Sequence, residues 1–473
     1  MSDSLYRCYV GGEPVHGERR LVVRSPYSGA TAGEVALASR SDVERAIESA
    51  LGSRANSTRF ERSQVLDRTR QALESRREEF ARLITSETGL AIFEARYEVG
   101  RALDVLRFAA IEALRDDGQI FSCDVSPQGK ARKIYTTREP LRLSVAITPF
   151  NHPLNQIAHK VCPAIAAGAP LIVKPSEKAP LTAIRFVELL YSCGLPPAML
   201  NLLLGPTDEV AIPLIQDERV ELVSFTGSVS VGKRIAATAG YKRLVLELGG
   251  NDPLIVLADA DLELAAHLAA EGSFRNSGQR CTAVKRIFVH ESVHEAFLER
   301  LVANAKKYPC GDPMNEATRV GTVIDEAAAI YLEEAMRDAV QNGAKILAGG
   351  HRHGALIEPT VLRDVPHKCK MVACESFGPL APVMTFKTVD EAIALANGTS
   401  YGLSSGVVTN NLADATRFIK ELRCGGVNIN EVPGFRIESS PFGGIKDSGL
   451  GIKEGVVEAM KLFSYVKTFS MPW

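Results

Sequence analysis

Residues 276–281 read NSGQRC, so Cys281 closes a polar stretch of Asn276, Ser277, Gly278, Gln279 and Arg280, with Lys285 four positions further on. Most cysteines in a nine-cysteine chain are inert core thiols, and it is these neighbours that set Cys281 apart. A thiol on a polar loop leading into a helix can have its pKa depressed, and the thiolate is the form that attacks a carbonyl carbon. Lys285 reads as an ordinary structural or surface cation. A second group with chemistry is Glu247 in LVLELGGND, a carboxylate inside a largely apolar strand and directly before two glycines. Burial raises such a carboxyl toward the range of a general base, unless it is a salt-bridged structural glutamate. Asn151, in TPFNHP, carries an amide that can donate to an oxyanion.

Two further stretches have the character of a nucleotide site. VKPSEKAP is an apolar strand that ends in Lys174, Ser176 and Glu177, at the carboxyl edge where open α/β sheets bind ligands. A lysine and a glutamate there can hold ribose hydroxyls; the bland alternative is a solvated loop. Gly227-Ser-Val-Ser-Val-Gly232-Lys233-Arg234 follows ELVSFT and opens a helix, as a phosphate cradle does. Arg234 stands where a Walker A loop needs Ser or Thr for magnesium, which argues against an NTPase. ESFGP adds Glu375 and Phe377.

The elements that must carry these residues follow from periodicity. Short β-type runs (YRCYV, LVVRS, GEVALA) separated by Gly11-Gly12 and Ser28-Gly29 predict strands and hairpins in the first forty residues. Helical spacing then runs from Ser41-Asp42 to about 115, interrupted near Gly89. LSVAITPF, APLIVKPS, NLLLG and ELVSFTG are buried-type strands between helical stretches, the rhythm of a mostly parallel sheet. A second series, NDPLIVLADAD, RIFVHES, AKILAGG and VNINEVPG, predicts a second α/β lobe meeting the first near 247–250. The segment 119–141 and the tail LFSYVKTFSMPW read as flanking strands, which need cover from another subunit.

Composition limits the partners. The 473 residues, 45% hydrophobic and 23% charged with a net charge of −1, predict two or three domains and speak against nucleic-acid or membrane-surface binding. Nine cysteines without a C-x-x-C pair suit neither a disulfide framework nor a zinc site, so no metal is expected. The start MSDSLYRCYVGGEP lacks an apolar core, and VCPAIAAGAPLIV is too short and proline-broken to span a bilayer, so a cytoplasmic location is expected.

In this order, TPFNHP, VKPSEKAP, FTGSVSVG, LELGGND, NSGQRC, ESFGP and PFGGIKDSGLG (441–451) resemble the aldehyde dehydrogenase superfamily over essentially the whole chain. The resemblance implies an α/β fold of two Rossmann-like domains plus a small β oligomerisation flap. It implies an NAD-binding domain of 1–120 and 142–247, a catalytic domain of 248–455, a flap of 121–141 and 456–473, and a homodimer or homotetramer. Carried over by motif, Cys281 is the nucleophile, Asn151 and the Cys281 amide form the oxyanion hole, and Glu247 activates the hydrolytic water. Thr148, Pro149, Lys174, Ser176, Glu177, Phe225, Gly227, Ser228, Glu375 and Phe377 would bind the cofactor. Glu177, a carboxylate near the 2′-hydroxyl, favours NAD over NADP. Glu247 favours hydrolysis over transfer to coenzyme A. A catalytically silent NAD-binding protein is the alternative from another class, and retention of Cys281, Glu247 and Asn151 speaks against it.

The resemblance implies a pocket with four potential cations: Arg280 directly before Cys281, His152 directly after Asn151, Arg436 in NEVPGFRIESSPFGG, which resembles the family's substrate-entry loop, and Arg101 in a helix resembling one that lines the family's substrate tunnel. Together they predict a small anionic aldehyde, and arginine forks suit tetrahedral oxyanions. Among members of the superfamily the combination is similar to those that oxidise phosphonoacetaldehyde to phosphonoacetate. Succinic semialdehyde, sulfoacetaldehyde, lactaldehyde and glyceraldehyde 3-phosphate are the alternatives.

Overall fold

The computed structural model describes residues 5–52 and 57–473; the first four residues of the N-terminal stretch quoted above lie outside the described residues. The opening runs form strands Leu5–Arg7, Arg20–Arg24 and Thr31–Ala36 in one small sheet, and Gly11 and Gly12 turn the chain at φ of 59° and 83°. Four helices follow, Arg40–Gly52, Arg59–Ser75, Arg77–Thr88 and Ile92–Glu112. Thr58 and Glu61 cap the second reciprocally. The predicted interruption falls at Gly89, whose φ of 72° ends the third helix; a Cβ there would lie 1.8 Å from Thr322 Oγ1, so the turn doubles as a contact with the second lobe.

The first large sheet has the strand order Arg243–Glu247, Leu222–Thr226, Ser144–Ile147, Leu171–Lys174, Leu200–Leu202, Tyr9–Val10 and Glu13–Pro14. The first five are parallel and nearly all buried, because helices cover both faces. Their register aligns Thr226 with Glu247 and Ile147 with Lys174, so the carboxyl ends of four adjacent strands open on one edge.

The second sheet also has seven strands, in the order Lys345–Ala348, Thr360–Arg363, Leu380–Phe386, Val284–His290, Asp252–Val256, Ser404–Val408 and Gly426–Ile429. Four of them are legible in the sequence. Thr360–Arg363, Leu380–Phe386 and Ser404–Val408 are not: Pro382 and the Ser-Ser-Gly of 404–406 are weak local strand formers. Pairing on both sides makes them strands.

Ile120–Ser122, Arg132–Pro140 and Ser464–Pro472 form a three-stranded antiparallel flap. The helix Val456–Leu462, which falls inside the flap segment expected from sequence, packs instead on Pro153–Ala167 and Ile92–Glu112, with Val456 and Ala459 buried. The chain therefore leaves the body at Ser464. Just before that, it returns from the second lobe to the first: Leu248 N donates to Ser448 O at 3.0 Å, and Glu454 accepts from Lys160 at 2.9 Å. No helix among the described residues is long and apolar enough to cross a membrane.

Candidate active site

The helix Leu262–Phe274 ends at Arg275, after which Asn276, Ser277 and Gly278 take φ of 56°, 51° and 68°. Two consecutive non-glycine residues in the left-handed region are costly and persist only where their surroundings hold them. Here Asn276 Nδ2 donates to Asn151 O at 3.1 Å, Ser277 Oγ to Gly321 O at 3.2 Å, and Ile324 N to Gln279 Oε1 at 2.9 Å. A Cβ on Gly278 would stand 2.0 Å from Gly378 O, so only glycine lets this loop meet ESFGP. Contrary to the expectation of a helix, the loop runs on into the strand Val284–His290. Lys285 is buried on that strand, donating to Arg280 O at 2.8 Å and Cys281 O at 2.7 Å. It holds the Cys281 loop by two of its carbonyls.

The Cys281 thiol is half-buried. Burial pushes it up to about 11 against the opposing charges of Lys285 and Arg436, so the depressed pKa expected from the polar loop is not found in the free protein. The polar side chains on which that expectation rested are spent on main-chain groups. Asn151 Nδ2 gives one hydrogen to Gln279 O at 2.8 Å. The second amide hydrogen remains for an oxyanion.

Glu247 ends its strand 4% exposed, and neither carboxylate oxygen has a hydrogen-bond partner among the described residues. Burial, reinforced by Glu454, raises it well above the usual carboxylate range, and it is not the salt-bridged glutamate that was the alternative. Gly443 lies against it: a Cβ there would be 2.7 Å from Oε1. Sequence reasoning missed the neighbouring pair, fully buried Lys160, which donates to Ser224 Oγ at 2.8 Å and Glu454 Oε1 at 2.9 Å. Its signal was a lysine directly before the apolar run 161–167 of the helix Pro153–Ala167.

Arg101, His152, Arg280 and Arg436 do line one cleft of about 510 Å³ with Cys281 and Phe442. Their charges differ from expectation. Burial and the three arginines depress His152 well below its usual range, so it is neutral rather than a fourth cation. Arg280 is turned partly into the protein, donating to Glu271 O at 3.1 Å and Gly272 O at 2.8 Å, while its Nε is buried without a partner. Arg101 Nε donates to Glu438 Oε1 at 2.5 Å, and Arg436 lies 3.7 Å over the Phe442 ring. Glu98, another cleft residue, accepts Leu154 N at 2.8 Å and Asn155 N at 2.9 Å, securing the helix that begins beside Asn151 and His152. Burial raises its carboxyl to about 8.

Most of the residues expected to hold the cofactor stand at the open edge of the first sheet. Thr148 N donates to Lys174 O at 3.1 Å, Lys174 pairs with Glu177 at 3.2 Å, and Ser176 Oγ accepts Lys178 N. Ser228 caps the helix Val229–Thr238, and the Phe225 ring fills the space where a Gly227 Cβ would go. Across the gap, Glu375 accepts Gly250 N and pairs with Lys285, both at 3.2 Å. Phe377, at φ 55°, meets the ring of Phe150, next to Pro149, edge-on at 6.0 Å. Thr226 Oγ1 is buried at this edge without a partner. A helix N-terminus, a lysine and carboxylates along one sheet edge fit a dinucleotide, with donors for diphosphate and acceptors for ribose hydroxyls.

Residues 14–469 match the model of the aldehyde dehydrogenase family. The chain is 38% identical over 451 residues to 3-sulfolactaldehyde dehydrogenase of Priestia aryabhattai, covering 95% of this chain and 94% of that one. Among solved structures it superposes at TM-score 0.95 and 36% identity on aldehyde dehydrogenase 21 from Physcomitrella patens in complex with the reaction product succinate, covering 100% and 99% of the two chains. It superposes at TM-score 0.96 and 33% identity on an NADP-dependent glyceraldehyde-3-phosphate dehydrogenase from Bacillus halodurans complexed with NADP, covering 99% of each. The thiol, the lone amide hydrogen and the isolated carboxyl thus stand on an aldehyde dehydrogenase fold, and the chain belongs to the aldehyde dehydrogenase family.

Proposed function

We propose that the protein oxidises a small anionic aldehyde to its carboxylate with NAD, releasing the acid by hydrolysis, and that phosphonoacetaldehyde is its substrate. The observation that carries this reading is the cleft itself, where three arginines converge beside Cys281. Relatives support the substrate class: one is named for a sulfonated aldehyde, and solved neighbours for a reaction that yields succinate and for a phosphorylated aldehyde. Tetrahedral anions match arginine forks, and each charge-assisted hydrogen bond contributes about 1.5–3 kcal/mol.

In this mechanism Cys281 gives its proton to solvent water and its sulfur bonds to the aldehyde carbon as the carbonyl π pair moves onto oxygen. The oxygen that takes the charge accepts from the free hydrogen of Asn151 and from the Cys281 amide. When bound, NAD would supply the two-electron acceptor needed to oxidise the adduct to the thioester. Lys174 and Glu177 would hold the adenosine ribose, Ser228 the diphosphate, and Glu375 with Phe377 the nicotinamide end. Glu247, once deprotonated, takes a proton from the water that attacks the thioester carbon, and Cys281 leaves as thiol. Glu247 has no partner to surrender, so its oxygens are available to that water. The exposed strand Ser464–Pro472 belongs to the contact of a homodimer or homotetramer.

NADH formation measured with phosphonoacetaldehyde, sulfoacetaldehyde, succinic semialdehyde and propionaldehyde tests the assignment. A kcat/KM for phosphonoacetaldehyde at least about 100-fold above propionaldehyde corresponds to about 2.7 kcal/mol of discrimination. Equal values for the neutral and anionic aldehydes overturn the anion pocket. A higher value for a sulfonate or carboxylate keeps the pocket and replaces the phosphonate.

A further inference from the structure

Glu438 is an acid paired with Arg101, which lines the cleft beside Cys281, although Glu438 itself does not. It lies two residues beyond Arg436, 6% exposed, with one carboxylate oxygen 2.5 Å from Arg101 Nε and the other 2.5 Å from His159 Nε2. Because an ionised carboxylate only accepts, the ring nitrogen of His159 is the donor. Among the described residues Arg101 makes no other hydrogen bond, so its terminal nitrogens are left to the cleft it lines. Glu438 also ties three segments together: Arg101 on Ile92–Glu112, His159 on Pro153–Ala167, and its own loop, anchored where Val456 N donates to Glu438 O at 3.1 Å.

We propose that Glu438 is a positioning residue for anionic substrates: it fixes Arg101 by its Nε so that the two terminal nitrogens present themselves to the substrate's charged tail. This rests on the anion-pocket reading above. The geometry makes a counterintuitive demand, because a negative charge ought to repel an anion. If Glu438 acted only through its charge, its removal would tighten anion binding. If it acts by orienting Arg101, its removal weakens binding, since a free arginine pays rotamer entropy to reach the same fork geometry.

Glu438→Ala, Glu438→Gln, Arg101→Ala and the Glu438→Ala/Arg101→Ala pair would be assayed in the full chain with saturating NAD, using phosphonoacetaldehyde and propionaldehyde. For Glu438→Ala the expected result is a KM for phosphonoacetaldehyde raised about 10-fold, the size of one charge-assisted hydrogen bond, with kcat/KM for propionaldehyde changed less than about 3-fold. Glu438→Gln, which can still accept from Arg101 and donate to His159, should restore KM to within about 3-fold of wild type. In the Arg101→Ala background, Glu438→Ala should add no further loss. A fall in KM with either Glu438 variant, equal losses on both aldehydes, or additive losses in the pair would overturn the proposal. A wild-type enzyme with no preference for the anionic aldehyde would overturn the pocket and this inference together.

Discussion

At the scale of single residues, the site is held in reserve rather than ready. Burial keeps the Cys281 thiol protonated up to about 11, and Glu247 is raised by the same cause. Free enzyme should therefore react slowly with iodoacetamide, its rate rising about 10-fold per pH unit from about pH 7 to about pH 10, because only the thiolate is alkylated. A plateau near neutrality would show that the thiol is already ionised and that the barrier lies elsewhere. Cys281, Glu247 and Asn151 could be singled out as candidates because each sits in a local pattern that ordinary core or surface residues do not share. Their protonation was not. The polar side chains beside Cys281 suggested a stabilised thiolate, yet Asn276, Ser277 and Gln279 bond to main-chain groups instead.

At the scale of elements, strand ends and helix starts do the placing. The parallel strands of the first sheet were readable from apolar runs, and turns from glycines such as Gly89, whereas three parallel strands of the second sheet were not. Lys160 with Glu454 and Arg101 with Glu438 were not readable, because these partners lie 294 and 337 positions apart and nothing local marks either pair. Glu98 illustrates how one helix secures another, since its carboxylate accepts the first amides of Pro153–Ala167. Its folded pKa, about 8, lies above the unfolded value, so its contribution to stability is whole below about pH 4.3 and is lost as pH rises to 8. Glu98→Gln keeps an acceptor but cannot ionise. Its melting temperature relative to wild type should therefore climb between pH 5 and pH 9, as followed by calorimetry at matched ionic strength. A difference that stays flat with pH would mean that Glu98 is solvated or paired in the folded protein.

At the scale of the whole molecule, the flap carries exposed apolar side chains. Val466 is 53% exposed and Met471 52%, on the edge strand Ser464–Pro472 of its sheet, and Trp473, just past that strand, is 75% exposed. Such an edge is an association site unless covered. Light scattering should report a dimer or tetramer for the wild type and a monomer for the Val466→Asp/Met471→Asp variant; a monomeric wild type would assign the flap another duty. The return of the chain from the second lobe to the first has a different consequence, one of timing. Cys281 is synthesised well before Arg436, Phe442, Gly443 and Glu454 exist, and those late residues line the space beside it or lie near Glu247. A growing chain therefore carries the thiol before it carries the pocket. Only when the last segment threads back does the sulfur gain its selective surroundings, so competence to turn over aldehyde marks a finished molecule.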